Sequence, residues 1–104
     1  MRRYTAAELK QRLSTPGAPI LLDIREHWER AICSIEPSVH IPMRAVPTAL
    51  DQLDRTQEVV VYCHHGIRSQ PVTRYLEDQG YRVADLAGGI DAWTRDVDPS
   101  LESY

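Results

Sequence analysis

The segment from Cys63 to Ser69 carries the residues of this sequence best suited to nucleophilic chemistry. It reads Cys-His-His-Gly-Ile-Arg-Ser and directly follows residues 59–62, Val-Val-Val-Tyr. A continuous apolar run rich in β-branched residues predicts a strand that is covered on both faces. From Ser69 to Gln79 the apolar spacing is helical, with Gly80 where a helix would end. The reactive residues therefore fall in a loop between a strand and a helix.

Such a loop predicts a cradle for an anion. Ligands of α/β sheets bind at the carboxyl ends of the strands, where loop N–H groups and the helix dipole favour negative charge. Helix N-termini and nearby cations lower the pKa of a cysteine to roughly 3.5–7.5, so we expect Cys63 to be a thiolate nucleophile. Gly66 would allow the tight backbone path, and Arg68 would bind an oxyanion held in the cradle. The alternative is a buried structural thiol, the usual role of a lone cysteine.

His64 and His65 are expected to line the rim of this pocket. A histidine at the rim can hydrogen-bond a donor or acceptor and change its charge near neutral pH. As metal ligands they are a poor pair, because adjacent histidines on a tight loop are expected to point in different directions. A zinc site also normally needs three or four ligands. The sequence therefore predicts no metal site.

Helices and strands alternate along the chain. Thr5 and Glu8 are spaced as a capping box, which predicts a helix through about Leu13. Further strands are expected at residues 20–22, 39–41 and 82–86, and further helices at residues 45–53 and 90–93. This alternation predicts an α/β fold with a parallel sheet and helices on both faces.

Asp23 and Arg25 follow the strand at residues 20–22 and are expected to be structural. Glu29 lies one helical turn beyond Arg25, a spacing that favours an ion-pair network supporting the neighbouring loop. An acid–base pair is the other interpretation, and it would require reach to a substrate. Cys33 is expected to be a small packing residue, with a resolving thiol as the alternative.

The composition indicates one folded unit without a nucleic-acid or membrane partner. The 104 residues, 42% of them hydrophobic, suffice for one core, so residues 1–104 are expected to form a single domain with a loose polar tail from about residue 96. A net charge of -3 lacks the basic surface that nucleic-acid binding requires. No run approaches the roughly 20 apolar residues of a membrane span, and no signal sequence opens the chain, so a cytoplasmic location with reduced thiols is expected.

The motifs together resemble the rhodanese family, whose single-domain members have a loop of the form Cys-x-x-Gly-x-Arg-Ser at a strand–helix junction. Four residues match it position for position: Cys63, Gly66, Arg68 and Ser69. Residues 23–26, Asp-Ile-Arg-Glu, are similar to the family's Asp-Val-Arg-Glu signature. Residues 76–93 are similar to its closing Leu-x-x-x-Gly-Tyr…Leu-x-Gly-Gly-x-x-Ala-Trp pattern. The resemblance spans roughly residues 3 to 95.

The resemblance implies a rhodanese-like fold, with a central, mostly parallel sheet of about five strands. It also implies a sulfurtransferase in which Cys63 takes sulfur from thiosulfate or another sulfane donor, carries it as a persulfide and passes it to a thiol or cyanide. A protein persulfide is a further possible donor, and no metal or organic cofactor is implied. Substrate binding would fall to His64, His65, Gly66, Ile67, Arg68 and Ser69, with Asp23 and Arg25 in support.

One stretch departs from the family pattern, and three other functions stay open. Residues 33–38, Cys-Ser-Ile-Glu-Pro-Ser, stand where the family commonly has Gly-His-Ile-x-Gly-Ala, which affects the expected backbone course there. A cysteine phosphatase is disfavoured because its loop places five residues between cysteine and arginine, whereas four separate Cys63 from Arg68. The other two alternatives are a non-catalytic interaction module and a persulfide carrier. The carrier interpretation rests on similarity to rhodanese domains attached to ubiquitin-activating-like enzymes.

Overall fold

A computed structural model describes all residues from Met1 to Tyr104. Its centre is a sheet of five strands in the order β1-β5-β4-β2-β3, and every neighbouring pair is parallel. The strands are β1 (Arg2–Tyr4), β2 (Ile20–Asp23), β3 (Val39–His40), β4 (Val59–Tyr62) and β5 (Val83–Leu86). This confirms the predicted α/β fold class with a parallel sheet of about five strands.

Four α-helices cover the sheet: α1 (Ala6–Leu13), α2 (His27–Ile32), α3 (Ser69–Asp78) and α4 (Gly89–Asp96). The predicted capping box at the start of α1 is confirmed. The Glu8 N–H donates to Thr5 Oγ1 at 3.1 Å, and the Thr5 N–H donates to Glu8 Oε1 at 2.9 Å. None of the helices combines the length and apolar character that crossing a membrane would require.

Two apolar clusters pack on opposite faces of the sheet, and β4 contributes to both. Val59 and Val61 belong to the cluster that includes Leu76 of α3, whereas Val60 packs in the cluster that includes Leu9 of α1. All three valines are fully buried. Burial of one such side chain stabilises the fold by about 1.5–3 kcal/mol, so the strand that leads to Cys63 is firmly held.

Two expectations about the elements were wrong, and one strand was missed. Residues 45–53 do not form an α-helix but fall in two 3₁₀ helices, Met43–Thr48 and Leu50–Gln52, because Pro47 lacks the N–H that a continuing helix needs. Strand β1 was not predicted, since only Tyr4 of its residues is buried. The tail beyond residue 96 is not loose, because Val97, Leu101 and Tyr104 pack against the cluster around Val60.

Candidate active site

The loop from Cys63 to Ser69 lies at the carboxyl end of β4, and its backbone turns back toward the cysteine. The Gly66 N–H donates a hydrogen bond to Cys63 Sγ at 3.2 Å. Gly66 has φ +84°, a left-handed conformation that favours glycine, and a Cβ there would lie 2.8 Å from the Gly88 nitrogen. The N–H group that contacts the sulfur therefore depends on a residue without a side chain.

Helix α3 begins at Ser69, directly beneath the sulfur of Cys63. The Ser69 hydroxyl oxygen is 3.5 Å from Cys63 Sγ, and both residues are almost fully buried. The start of α3, which is the positive end of its dipole, therefore lies next to the sulfur. The sulfur thus has one backbone N–H and the start of a helix beside it, and the anion cradle stays a prediction.

A second loop docks against the first through the adjacent residues Gly88 and Gly89. The Ile90 N–H donates to the Cys63 carbonyl at 2.9 Å, and the Asp91 N–H donates to the His64 carbonyl at 3.1 Å. A Cβ at Gly89 would lie 2.5 Å from the Cys63 carbonyl oxygen. The start of α4 can therefore approach the reactive loop only because residue 89 is glycine. The pair of adjacent glycines in the sequence could have indicated this close approach.

Arg68 lies at the rim of the pocket that Cys63 lines, and it pairs with Glu29. The sequence had instead indicated an ion pair between Glu29 and Arg25. Its Nη1 and Nη2 donate to the two oxygens of Glu29 at 2.8 and 2.7 Å. Burial acts to raise the pKa of Glu29, but hydrogen bonds from Arg68 and Tyr104 outweigh it and lower the pKa to about 2. Arg68 is thus held by an ionised partner in this structure, with its remaining N–H donors unused by Glu29.

His64 and His65 line the same pocket together with Ile67, whose side chain is 71% exposed. The expectation that the two histidines point in different directions was wrong. Their rings stack at 3.8 Å between centroids, and His64 stacks on its other side against Tyr104, also at 3.8 Å. Burial and the neighbouring charge of His65 lower the pKa of His64, so this ring is mostly neutral at pH 7.

Asp23 and Arg25 form a buried ion pair behind this rim. Arg25 Nε and Nη2 each donate to one oxygen of Asp23 at 2.9 Å. The remaining nitrogen, Nη1, donates to the Tyr104 hydroxyl at 3.0 Å, and that hydroxyl donates to Glu29 Oε2 at 2.6 Å. Tyr104 therefore links the buried pair to the carboxylate that holds Arg68. Sequence reasoning missed it, because nothing local to residue 104 indicates contacts with residues 25 and 29.

The two cysteines are both free and lie in different apolar clusters. Cys33 caps the end of α2, and its carbonyl accepts a hydrogen bond from Arg25 Nη2 at 2.6 Å. Its thiol is buried against the cluster on the α1 and α4 face. Only Cys63 lines the pocket at the reactive loop.

Comparison with known proteins identifies the family to which the chain belongs. A family model described as Rhodanese-like domain matches residues 5–96, and the chain belongs to that family. A protein of Allochromatium vinosum named Sulfurtransferase is 40% identical over 88 residues, which cover 84% of this chain and 82% of that one. The adenylyltransferase and sulfurtransferase MOCS3-1 of Zea mays is 36% identical over 111 residues, covering 98% of this chain and 24% of that protein. The crystal structure of a rhodanese-like domain protein from Staphylococcus aureus has a TM-score of 0.87 at 31% identity, covering 100% of this chain and 99% of that one.

Proposed function

We propose that this protein is a sulfurtransferase that carries sulfur as a persulfide on Cys63. The observation that carries the proposal is the position of Cys63 Sγ, which accepts the Gly66 N–H at 3.2 Å while lining an open pocket. A backbone N–H directed at the sulfur suits a thiolate and the sulfur of a persulfide. The family membership and the name of the Allochromatium vinosum relative support the same class of reaction.

The proposed cycle has two displacements at sulfur. The Cys63 thiolate attacks the sulfane sulfur of a donor such as thiosulfate, a new S–S bond forms, and sulfite leaves with the electron pair of the old bond. A thiolate or cyanide acceptor then attacks the outer sulfur of the persulfide. The S–S bond breaks, and the electron pair returns to Cys63 as a thiolate. Electrons balance without a metal or organic cofactor.

Arg68 is proposed to bind the anionic end of a small donor. Its guanidinium lies at the rim of the pocket, and its contacts with Glu29 use one hydrogen of each terminal nitrogen. The other donors of the planar fork are free to bind a sulfonate-like group. Glu29 would keep the guanidinium in place between turnovers. His64, His65 and Ile67 would contact the donor or the acceptor at the same rim.

A second candidate, a persulfide carrier that receives sulfur from a protein, is favoured by the apolar surface around the rim. Ile67 is 71% exposed and Trp28 is 62% exposed, and Trp28 contacts Tyr104 edge-on at 5.8 Å between centroids. Large exposed apolar side chains beside a reactive loop suit a protein surface better than a small anion. The Zea mays relative, whose name includes adenylyltransferase, shows that a domain of this kind occurs within a longer protein.

Intact-mass spectrometry after incubation with thiosulfate tests the proposal. The expected result is a mass increase of one sulfur atom that cyanide reverses, absent in Cys63→Ser and present in the matched control Cys33→Ser. No sulfur uptake from thiosulfate, together with rapid loading from a protein persulfide, would favour the carrier. Uptake that depends on Cys33 rather than on Cys63 would contradict the assignment of the nucleophile.

A further inference from the structure

The segment of residues 97–104 turns back from α4 and brings Tyr104 to the rim of the reactive loop. The turn begins where the Asp98 N–H donates to the Trp93 carbonyl at 2.9 Å. Leu101 and the ring of Tyr104 then pack against the apolar cluster on the α1 and α4 face. The proposed cycle gives this segment no role, although its contacts reach two residues of the pocket.

The hydroxyl of Tyr104 lies between two charged groups, and the directions of its hydrogen bonds are fixed by their chemistry. Arg25 has no acceptor atom, so its Nη1 must donate to the hydroxyl oxygen at 3.0 Å. The single hydroxyl proton is then donated to Glu29 Oε2 at 2.6 Å. Burial, together with the bond to Glu29, raises the pKa of Tyr104, so the hydroxyl keeps this proton at neutral pH.

The carboxylate of Glu29 receives donors on both oxygens, and Tyr104 supplies one of them. Arg68 Nη1 and the Glu26 N–H donate to Oε1 at 2.8 and 3.0 Å. Arg68 Nη2 and the Tyr104 hydroxyl donate to Oε2 at 2.7 and 2.6 Å. Because the pairing with Arg68 is bidentate, the orientation of the carboxylate also sets the plane of the guanidinium. Without the hydroxyl, Oε2 would be held by Arg68 alone.

We propose that Tyr104 is a positioning residue for binding of the sulfur donor, whose hydroxyl holds Glu29 so that the Arg68 guanidinium keeps one orientation at the pocket rim. The hydroxyl also takes up part of the negative charge of Glu29, so this carboxylate competes less with an incoming anion for Arg68. Both effects strengthen binding of an anionic donor. The inference rests on the proposed function in taking Arg68 as the group that binds this anion.

The ring of Tyr104 makes a second contact with the same pocket, and this contact can be tested separately. It stacks on His64 at 3.8 Å between centroids, with the two planes 7° apart. His64 and Arg68 both line the pocket. Phenylalanine keeps the ring, so Tyr104→Phe removes the hydroxyl contacts alone. The ring resonances of His64, followed by NMR, should stay unchanged in this variant, which verifies that the stack and the fold are retained.

Steady-state sulfur transfer from thiosulfate to cyanide provides the first test. Tyr104→Phe should raise KM for thiosulfate roughly threefold to tenfold, the affinity equivalent of one hydrogen bond, with kcat little changed. In an Arg68→Ala background the same substitution should cause no further rise, because no guanidinium is left to position. Tyr75→Phe, a change at a tyrosine packed against the other apolar cluster, is the matched control and should keep the wild-type values. An unchanged KM in Tyr104→Phe, or an equal rise in the Arg68→Ala background, would overturn the inference.

A second measurement needs no sulfur transfer. Sulfate resembles the anionic end of thiosulfate but has no sulfane sulfur, so it can bind at the rim without loading Cys63. A sulfate titration followed on the Arg68 Nε–H resonance should give a several-fold higher Kd in Tyr104→Phe than in wild type and Tyr75→Phe. If wild type takes up no sulfur while sulfate binding still depends on the hydroxyl, only the proposed function fails. Normal sulfur loading with equal sulfate affinity in wild type and Tyr104→Phe would overturn only this inference.

Discussion

The base of the reactive loop, at Cys63 and Asp85, and its rim, at Arg68 and Glu29, have opposite effects on the pKa of a buried acid. At the base, beside the strand that leads to Cys63, Asp85 is fully buried with no hydrogen-bond partner for either carboxylate oxygen, and burial raises its pKa. At the rim, Glu29 receives hydrogen bonds from Arg68 and Tyr104, which hold its pKa at about 2 despite burial. The pKa of a buried acid thus rises or falls according to the number of donors that reach it. Hydrogen bonds therefore keep a fixed charge in place at the rim, whereas burial disfavours one at Asp85.

Among the variants considered, Gly66→Ala should cause the largest loss of sulfur loading. Alanine at φ +84° is strained, and its Cβ would lie 2.8 Å from the Gly88 nitrogen, so the backbone that contacts the sulfur must move. We expect sulfur loading by thiosulfate to fall on the order of a hundredfold, the cost of a misplacement of about 1 Å at a reacting centre. Loading rates by intact mass check this expectation.

Gly17→Ala is the matched control for that prediction. Gly17 has φ +75°, but a Cβ added there would have no atom within 4 Å, so this variant reports the cost of the backbone conformation alone. We expect a loss of about 1–2 kcal/mol in the free energy of unfolding and unchanged loading. Equal loading by the two variants would show that the close approach of Gly66 to Gly88 is not needed.

Arg68→Ala tests whether the rim binds a charged sulfur donor. Loss of charge-assisted hydrogen bonds worth about 1.5–3 kcal/mol should raise KM for thiosulfate by roughly tenfold to a hundredfold. The effect on an uncharged sulfur donor should be much smaller. Arg68→Lys keeps the charge but not the planar fork, and should recover only part of the loss. Equal losses with charged and uncharged donors would assign Arg68 to scaffolding through Glu29.

Because Glu29 is ionised in the folded protein, the free energy of unfolding should depend on pH. Because its pKa is lowered from 4.5 to about 2 in the folded protein, its contribution is fully present above pH 4.5 and is lost as the pH falls toward 2. The contribution should be about 1–3 kcal/mol, reduced from the full shift because Arg68 is partly exposed. Urea unfolding between pH 2 and 6 should show this slope in wild type and a flatter one in Glu29→Gln. An exposed variant, Asp51→Asn, should keep the wild-type slope.

Tyr104→Phe should have the smallest effect. The ring can still stack on His64, and only the hydroxyl contacts with Glu29 and Arg25 are lost. Thermal unfolding should show a loss of about 1 kcal/mol, the usual value for hydrogen bonds that are partly replaced by water. Tyr104→Ala, which also removes the stack, should lose more. Identical stability of the two variants would show that the ring does not anchor this segment.

The sequence by itself determined the helices and strands whose patterns involve only neighbouring residues. The apolar run of β4, the capping box of α1 and the alternation of strands and helices depend on neighbouring residues, so the parallel sheet could be predicted. The spacing of Cys63, Gly66 and Arg68 likewise indicated a loop at a strand end. The misjudged segments lacked such signals: Pro47 divided an apparent helix, and β1 exposes most of its residues.

Contacts between distant segments were decided only by the tertiary structure. The sequence indicated Arg68 as a ligand for an anion, but its partner Glu29 lies 39 residues away. Asp85 reads as an ordinary polar residue in a strand until the sheet buries it beside Arg3, and Tyr104 reads as part of a polar tail until it stacks on His64. Charge and hydrogen bonding act over a few ångströms in space, whereas sequence patterns report only neighbours along the chain. The reactive loop was therefore predictable from its own residues, and the distant groups that hold its rim were not.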